Sequence, residues 1–183
     1  NDSRGFYANR CVLNYIQEGY LMLLEGIPPA MVENTARMAG MPVGPLSLND
    51  ETALDLGLKI LRAAEADLGA GAVDPKQKKL MEALVEKNGR LGRKNGKGFY
   101  DYAPGKPKRL WPGLADLLSK KLSQKEVDAL DVEELKQRFL LTQAIEAART
   151  FEEQVVTDVR EADVGSILGW GFAPYSGGTL SYI

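Results

Sequence analysis

Arg10-Cys11-Val12-Leu13-Asn14-Tyr15-Ile16-Gln17-Glu18-Gly19-Tyr20-Leu21-Met22-Leu23-Leu24-Glu25-Gly26 reads as one amphipathic helix with its stop signal attached. Val12, Ile16, Tyr20 and Leu23 recur at steps of four, four and three, one face of a 3.6-residue helix, and Glu25-Gly26 ends it. After a second short helix comes Gly40-Met41-Pro42-Val43-Gly44-Pro45. A related pattern starts at Arg138, runs through Phe151-Glu152-Glu153 and another short helix, and reaches Gly169-Trp170-Gly171-Phe172-Ala173-Pro174. Arg138 follows Arg10 by 128 positions and Gly169 follows Gly40 by 129, so a single inserted residue keeps two distant anchors in register. A segment present twice suggests a module that covers its apolar face with its own copy. The expected organisation is therefore a first helical repeat over 1–110 and a second, diverged one over 111–183, packed as a pseudo-dimer.

Helix signals dominate the remainder. Pro28 to Ala39 reads as a helix with Gly40 at its left-handed cap. Asn49-Asp50 is placed to cap a helix of Glu51 to Leu68, and Asp74-Pro75 starts one reaching about Glu86. Glycine, proline, lysine and arginine prevail from Asn88 to Pro112, which predicts loop with a short extended piece at Gly98-Phe99-Tyr100-Asp101-Tyr102. Ser123 with Glu126, and Asp131 with Glu134, have the spacing of reciprocal capping pairs. In the long helix that follows, Leu140, Ala144, Ala147, Phe151 and Val155 line one side; Thr157 or Asp158 caps a shorter helix ending at Gly169, and a last one begins at Pro174. The fold class is all-α.

A net charge of −2 gives no electrostatic footprint for nucleic acid or an anionic membrane. No apolar run approaches the roughly 20 residues of a membrane span. Cys11 stands alone among apolar residues, which rules out an internal disulfide, marks it as a core residue and fits an intracellular protein. There is no histidine, so the commonest acid–base side chain and transition-metal ligand is missing, and no metal site is expected. With no initiator Met and an opening inside a motif, the chain reads as a piece of a longer protein.

Nucleotide signatures fail. A phosphate loop needs glycine five residues before Gly96-Lys97, but Leu91 stands there; Gly169-Trp170-Gly171 would need a third glycine where Pro174 stands. Arg93, Lys94 and Lys97, with Lys106, Lys108 and Arg109, form a loop of cations able either to grip phosphate or to face water. Asp50 and Asp55 are out of helical phase as a catalytic pair, and capping accounts for Asp50. Gly40 to Pro45 suits a tight helix corner or close approach by a ligand. Asn9 lies three residues before Val12, on the expected inward stripe. Its amide either satisfies buried hydrogen bonds or faces a substrate carbonyl or catalytic group.

Gly5-Phe6-Tyr7-Ala8-Asn9-Arg10, then Gly40-Met41-Pro42-Val43-Gly44-Pro45 with Asp50 and Asp55, then Lys94-Asn95-Gly96-Lys97-Gly98-Phe99-Tyr100 together resemble the C-terminal region of 3-hydroxyacyl-CoA dehydrogenases. The tandem arrangement is most similar to the alpha subunit of the multifunctional fatty-acid oxidation complex. One departure is Arg4, where the family usually has proline. The resemblance implies a parent enzyme of fatty-acid β-oxidation whose NAD-binding Rossmann domain, with a catalytic histidine and glutamate, precedes residue 1. It further implies that Asn9 completes the catalytic site, that Gly44 and Pro45 contact the acyl-CoA substrate, that this chain alone binds no NAD and is inactive, and that a thiolase subunit partners the parent in the cytoplasm or an organellar matrix. The competing reading is a non-catalytic helical assembly module.

Overall fold

The computed structural model describes residues 1–183. Its helices are α1 (Ala8–Leu24), α2 (Pro29–Met38), α3 (Pro45–Thr52), α4 (Leu54–Leu68), α5 (Pro75–Glu82), α6 (Leu114–Leu117), α7 (Gln124–Asp128), α8 (Val132–Glu152) and α9 (Val159–Trp170). The one sheet is a two-residue antiparallel pair, β1 (Tyr100–Asp101) and β2 (Arg109–Leu110), with Tyr100 opposite Leu110. The expected loop thus carries a small hairpin. Most of the start signals act as read. The Asp74, Asp131 and Asp158 carboxylates each accept two backbone N–H groups at the heads of α5, α8 and α9. Ser123 and Glu126 close a reciprocal box at the head of α7.

Three expectations are corrected. The single helix from Glu51 is two: α3 starts at Pro45, and Ala53, at φ 77°, breaks the chain before α4. Asp50 consequently lies inside α3 and caps nothing. α9 runs one residue past Gly169, to Trp170, and the left-handed cap is Gly171, at φ 76°. The end of the chain forms only a short 3₁₀ turn at Pro174–Ser176, because Gly177 and Gly178 both take positive φ and turn it away.

Compactness divides the chain otherwise than the expected repeats over 1–110 and 111–183. One unit gathers Asn1–Gly19, Met31–Pro45 and Ala129–Ile183; the other gathers Tyr20–Ala30 and Leu46–Asp128. In the first, Cys11, Tyr15, Val32, Ala36, Phe139, Leu140, Ala144 and Phe172 are buried. The Tyr15 and Phe139 rings meet at 5.3 Å, and Arg10 reaches Glu146 while Arg138 reaches Glu18, so α1 and α8 run antiparallel there. In the second, Tyr20 packs on Phe99 at 5.5 Å among Met22, Leu46, Leu54, Leu58, Met81 and Leu84.

The ends of α1 and α8 are built alike. Glu25, Gly26 and Ile27 donate backbone N–H groups to Leu21, Leu23 and Met22; Glu153, Gln154 and Val155 donate to Arg149, Phe151 and Thr150. Each of these residues stands 128 positions after its counterpart, the offset between Arg10 and Arg138. The turn demands positive φ at its second position. Gly26 meets that at 94°, whereas Gln154 is held at 59° with a β-carbon in the way. Gln154→Gly should therefore stabilise the fold by about 1 kcal/mol, read as a higher urea midpoint at unchanged m-value. An unchanged or lower midpoint would mean that the Gln154 side chain, which donates to the Phe151 carbonyl, compensates the strain.

Candidate functional site

Asn9 sits in the first turn of α1 and is exposed. The buried face of that helix is formed by Cys11, Tyr15 and Ile16, while Val12 is only half-buried, so the inward placement expected for Asn9 is wrong by about a quarter turn. An amide in water carries no burial cost, which removes the reason to read it as a structural crosslink. The stripe it heads continues through Leu13 and Gln17, both half-buried, at the i+4 and i+8 positions of one helix face.

The segment bearing Asn9 enters the helix through two left-handed residues, Gly5 at φ 82° and Phe6 at φ 51°. Arg10, next along, is clamped by two acids: Nε donates to Glu146 at 2.6 Å, and the terminal nitrogens grip Glu153 at 2.5 and 3.1 Å. These contacts hold the guanidinium in its charged form and Glu153 below the usual carboxylate range.

Gly44 and Pro45 are buried at the head of α3. A β-carbon on Gly44 would lie 2.5–2.6 Å from the carboxyl atoms of Glu33, and one on Gly19 would lie 2.6 Å from the Pro45 ring. The Tyr15 hydroxyl donates to the Val43 carbonyl at 2.6 Å and fastens the turn to α1. Packing thus accounts for the side-chain side of both residues, and only their backbone is left to face a ligand.

The other motif groups serve the fold. Asp50 is 1% exposed, and its carboxylate accepts the N–H groups of Phe99 (2.7 Å) and Tyr100 (2.9 Å) and the hydroxyl of Tyr102 (3.0 Å). Burial nonetheless pushes its carboxyl up to about 6. Three of the loop cations have partners of their own: Lys94 pairs with Asp55 at 2.5 Å, Arg93 with Glu51 at 3.4 Å, and Lys108 bonds Ser47 and lies over the Tyr100 ring. Asn95 closes the loop, accepting from Leu91 and Lys97 and donating to Gly89. Cys11 is fully buried and its thiol is pushed up to about 12, so it is a core residue as expected. No three His, Cys, Asp or Glu residues gather as metal ligands, and no helix is long and apolar enough to cross a membrane.

Sequence reasoning missed Tyr7. Its hydroxyl lies 3.0 Å from the Ala162 carbonyl and 2.6 Å from Thr179 Oγ1, and its ring meets Trp170 edge-on at 5.1 Å. The only signal was its place between two motif glycine–aromatic and asparagine–arginine pairs.

Solved structures similar to the chain include 3-hydroxybutyryl-CoA dehydrogenase from Escherichia coli K12, with a TM-score of 0.67 and 17% identity, and the dehydrogenase part of multifunctional enzyme 1 from C. elegans, with 0.67 and 21%. Each match covers 97% of this chain; it spans 52% of the first structure's chain and 39% of the second's. Residues 5–102 match the family of the 3-hydroxyacyl-CoA dehydrogenase C-terminal domain, more than half of the chain, and the protein belongs to that family.

Proposed function

We propose that this chain is the helical part of a 3-hydroxyacyl-CoA dehydrogenase of fatty-acid β-oxidation, lending Asn9 and one wall of an acyl-CoA cleft to a domain that holds NAD and a histidine–glutamate pair. The observation that carries this reading is the exposure of Asn9 at the head of α1, inside the family motif and the matched region. A neutral amide there can donate to the substrate's reacting oxygen while a base elsewhere takes its proton. Gly44 and Pro45 would contribute backbone only. Nothing in the chain fits NAD itself: the only sheet is an antiparallel hairpin, without the parallel strand–helix crossover whose glycine turn cradles a pyrophosphate. The chemistry derived for these residues is therefore confined to holding an oxygen in place. The thiolase partner follows from the resemblance and is tested by co-purification.

The two copies, 1–110 and 111–183, are read as a pseudo-dimer. Support comes from reciprocity: Arg10 meets Glu146 and Arg138 meets Glu18, both at 2.6 Å, and the two acids are separated by the same 128 positions as the two arginines. That is the pattern a two-fold interface writes, residue i to j and j to i.

One preparation tests both statements. The full-length parent should reduce NAD with a 3-hydroxyacyl-CoA, whereas the isolated 183-residue chain should show no turnover and scatter light as a monomer at micromolar concentration. Turnover by the isolated chain, or none by the parent, ends the functional reading. A tight dimer ends the pseudo-dimer.

A further inference from the structure

Asn9 stands on a short segment whose side-chain anchors lie almost entirely in the far part of the sequence. The Asn1 side-chain amide donates to the Gln154 carbonyl, and Arg10 is gripped by Glu146 and Glu153. The most closely defined anchor is Tyr7, two positions before Asn9. A phenol has one proton and a carbonyl can only accept, so Tyr7 donates to Ala162 and accepts from Thr179. Thr179 is fully buried, and its N–H donates to Ser166 Oγ at 3.2 Å. Trp170, against which the Tyr7 ring rests, is itself fixed by an indole N–H bond to Gln143 at 3.0 Å. On the backbone side the Tyr7 carbonyl accepts the N–H of Cys11, the first turn of α1. Whatever turns Tyr7 therefore turns the stub that presents Asn9.

We infer that Tyr7 is a positioning residue for Asn9: residues 162–179 of the second copy, which carries Gln137 where the first carries Asn9, fix the first turn of α1 through the Tyr7 hydroxyl and ring. This rests on the reading of Asn9 as the site asparagine. It gives the second copy a part in the reaction although it holds none of the chemistry. Displacing a donor by about 1 Å is enough to cost up to a hundredfold in rate.

The test uses the full-length dehydrogenase. Tyr7→Phe keeps the ring on Trp170 and removes the hydroxyl; Thr179→Val removes the donor from the other side. Each should lower kcat about tenfold and leave KM for acyl-CoA within about twofold, and the double variant should be no worse than either single one. In an Asn9→Ala background, Tyr7→Phe should have no further effect on kcat, because the group it positions is gone. A lower melting temperature at unchanged kcat, or an effect that adds in full to Asn9→Ala, overturns the inference. If Asn9→Ala itself leaves kcat unchanged, the functional reading of Asn9 falls and takes the inference with it. A loss with Asn9→Ala and none with Tyr7→Phe removes the inference alone.

Discussion

Asn9→Ala in the full-length dehydrogenase is expected to lower kcat by about 10–1,000-fold, the range seen when one positioned donor to a reacting oxygen is removed. The side chain is exposed in the first turn of α1, so its loss leaves neither a cavity nor an unpaired buried group. Thermal stability should accordingly stay within about 0.5 kcal/mol of the parent's, as for an ordinary surface change. The two readouts separate the hypotheses. A fall in kcat at constant stability assigns the amide to chemistry, while constant kcat with a lower melting temperature returns it to the fold. Asn9→Asp sharpens the comparison. It keeps the shape and replaces the N–H donor with a carboxylate, so it should be at least as damaging if the amide donates to an oxygen that gains negative charge.

The largest expected effect on stability belongs to Gly98→Ala. A β-carbon built on Gly98 falls on the carboxylate of Asp50, and one on Gly92 falls on the Asp50 carbonyl, so the two glycines form a cradle closed around one buried acid. A methyl group there must push the carboxylate off the N–H groups of Phe99 and Tyr100 and the hydroxyl of Tyr102. Leaving such a buried charge without its partners costs about 3–5 kcal/mol. At roughly 2–4 °C per kcal/mol for a chain of this size, the melting temperature should drop by about 10 °C. Gly71→Ala is the control, because a β-carbon there meets nothing within 4 Å. Equal melting by the two variants would show that the Gly98 loop yields freely and that Asp50 does not depend on it.

What the sequence disclosed and what it hid follow from the range of the interactions. Helix starts are written locally, an aspartate or serine against the next few N–H groups, and Asp74, Ser123, Asp131 and Asp158 could all be read. The role of Asp50 could not. Its partners lie about 50 positions away, so its place beside Asn49 suggested a cap. Ala53 hid the break between α3 and α4 because it adopts a left-handed conformation that a glycine would have advertised. The motif around Asn9 was legible, yet its exposure was not: Val12 suggested a face that Cys11 and Tyr15 actually own. Arg93 and Lys94 looked available because their partners, Glu51 and Asp55, belong to helices some forty residues earlier.

The strained turn at Gln154 has a consequence for how such a chain can change over time. Were the two copies separate identical chains, every substitution at their shared face would appear twice at once, and a residue tolerable on one side would have to be tolerable on both. In the pseudo-dimer reading proposed above, fusion lifts that constraint. One copy can keep glycine at its turn and asparagine on its outer face, while the other drifts to glutamine at both places, Gln154 and Gln137, without imposing either change on its sister. In the pseudo-dimer reading, gene fusion turns an obligatory symmetry into a division of labour, with one half free to specialise as the buttress of the other.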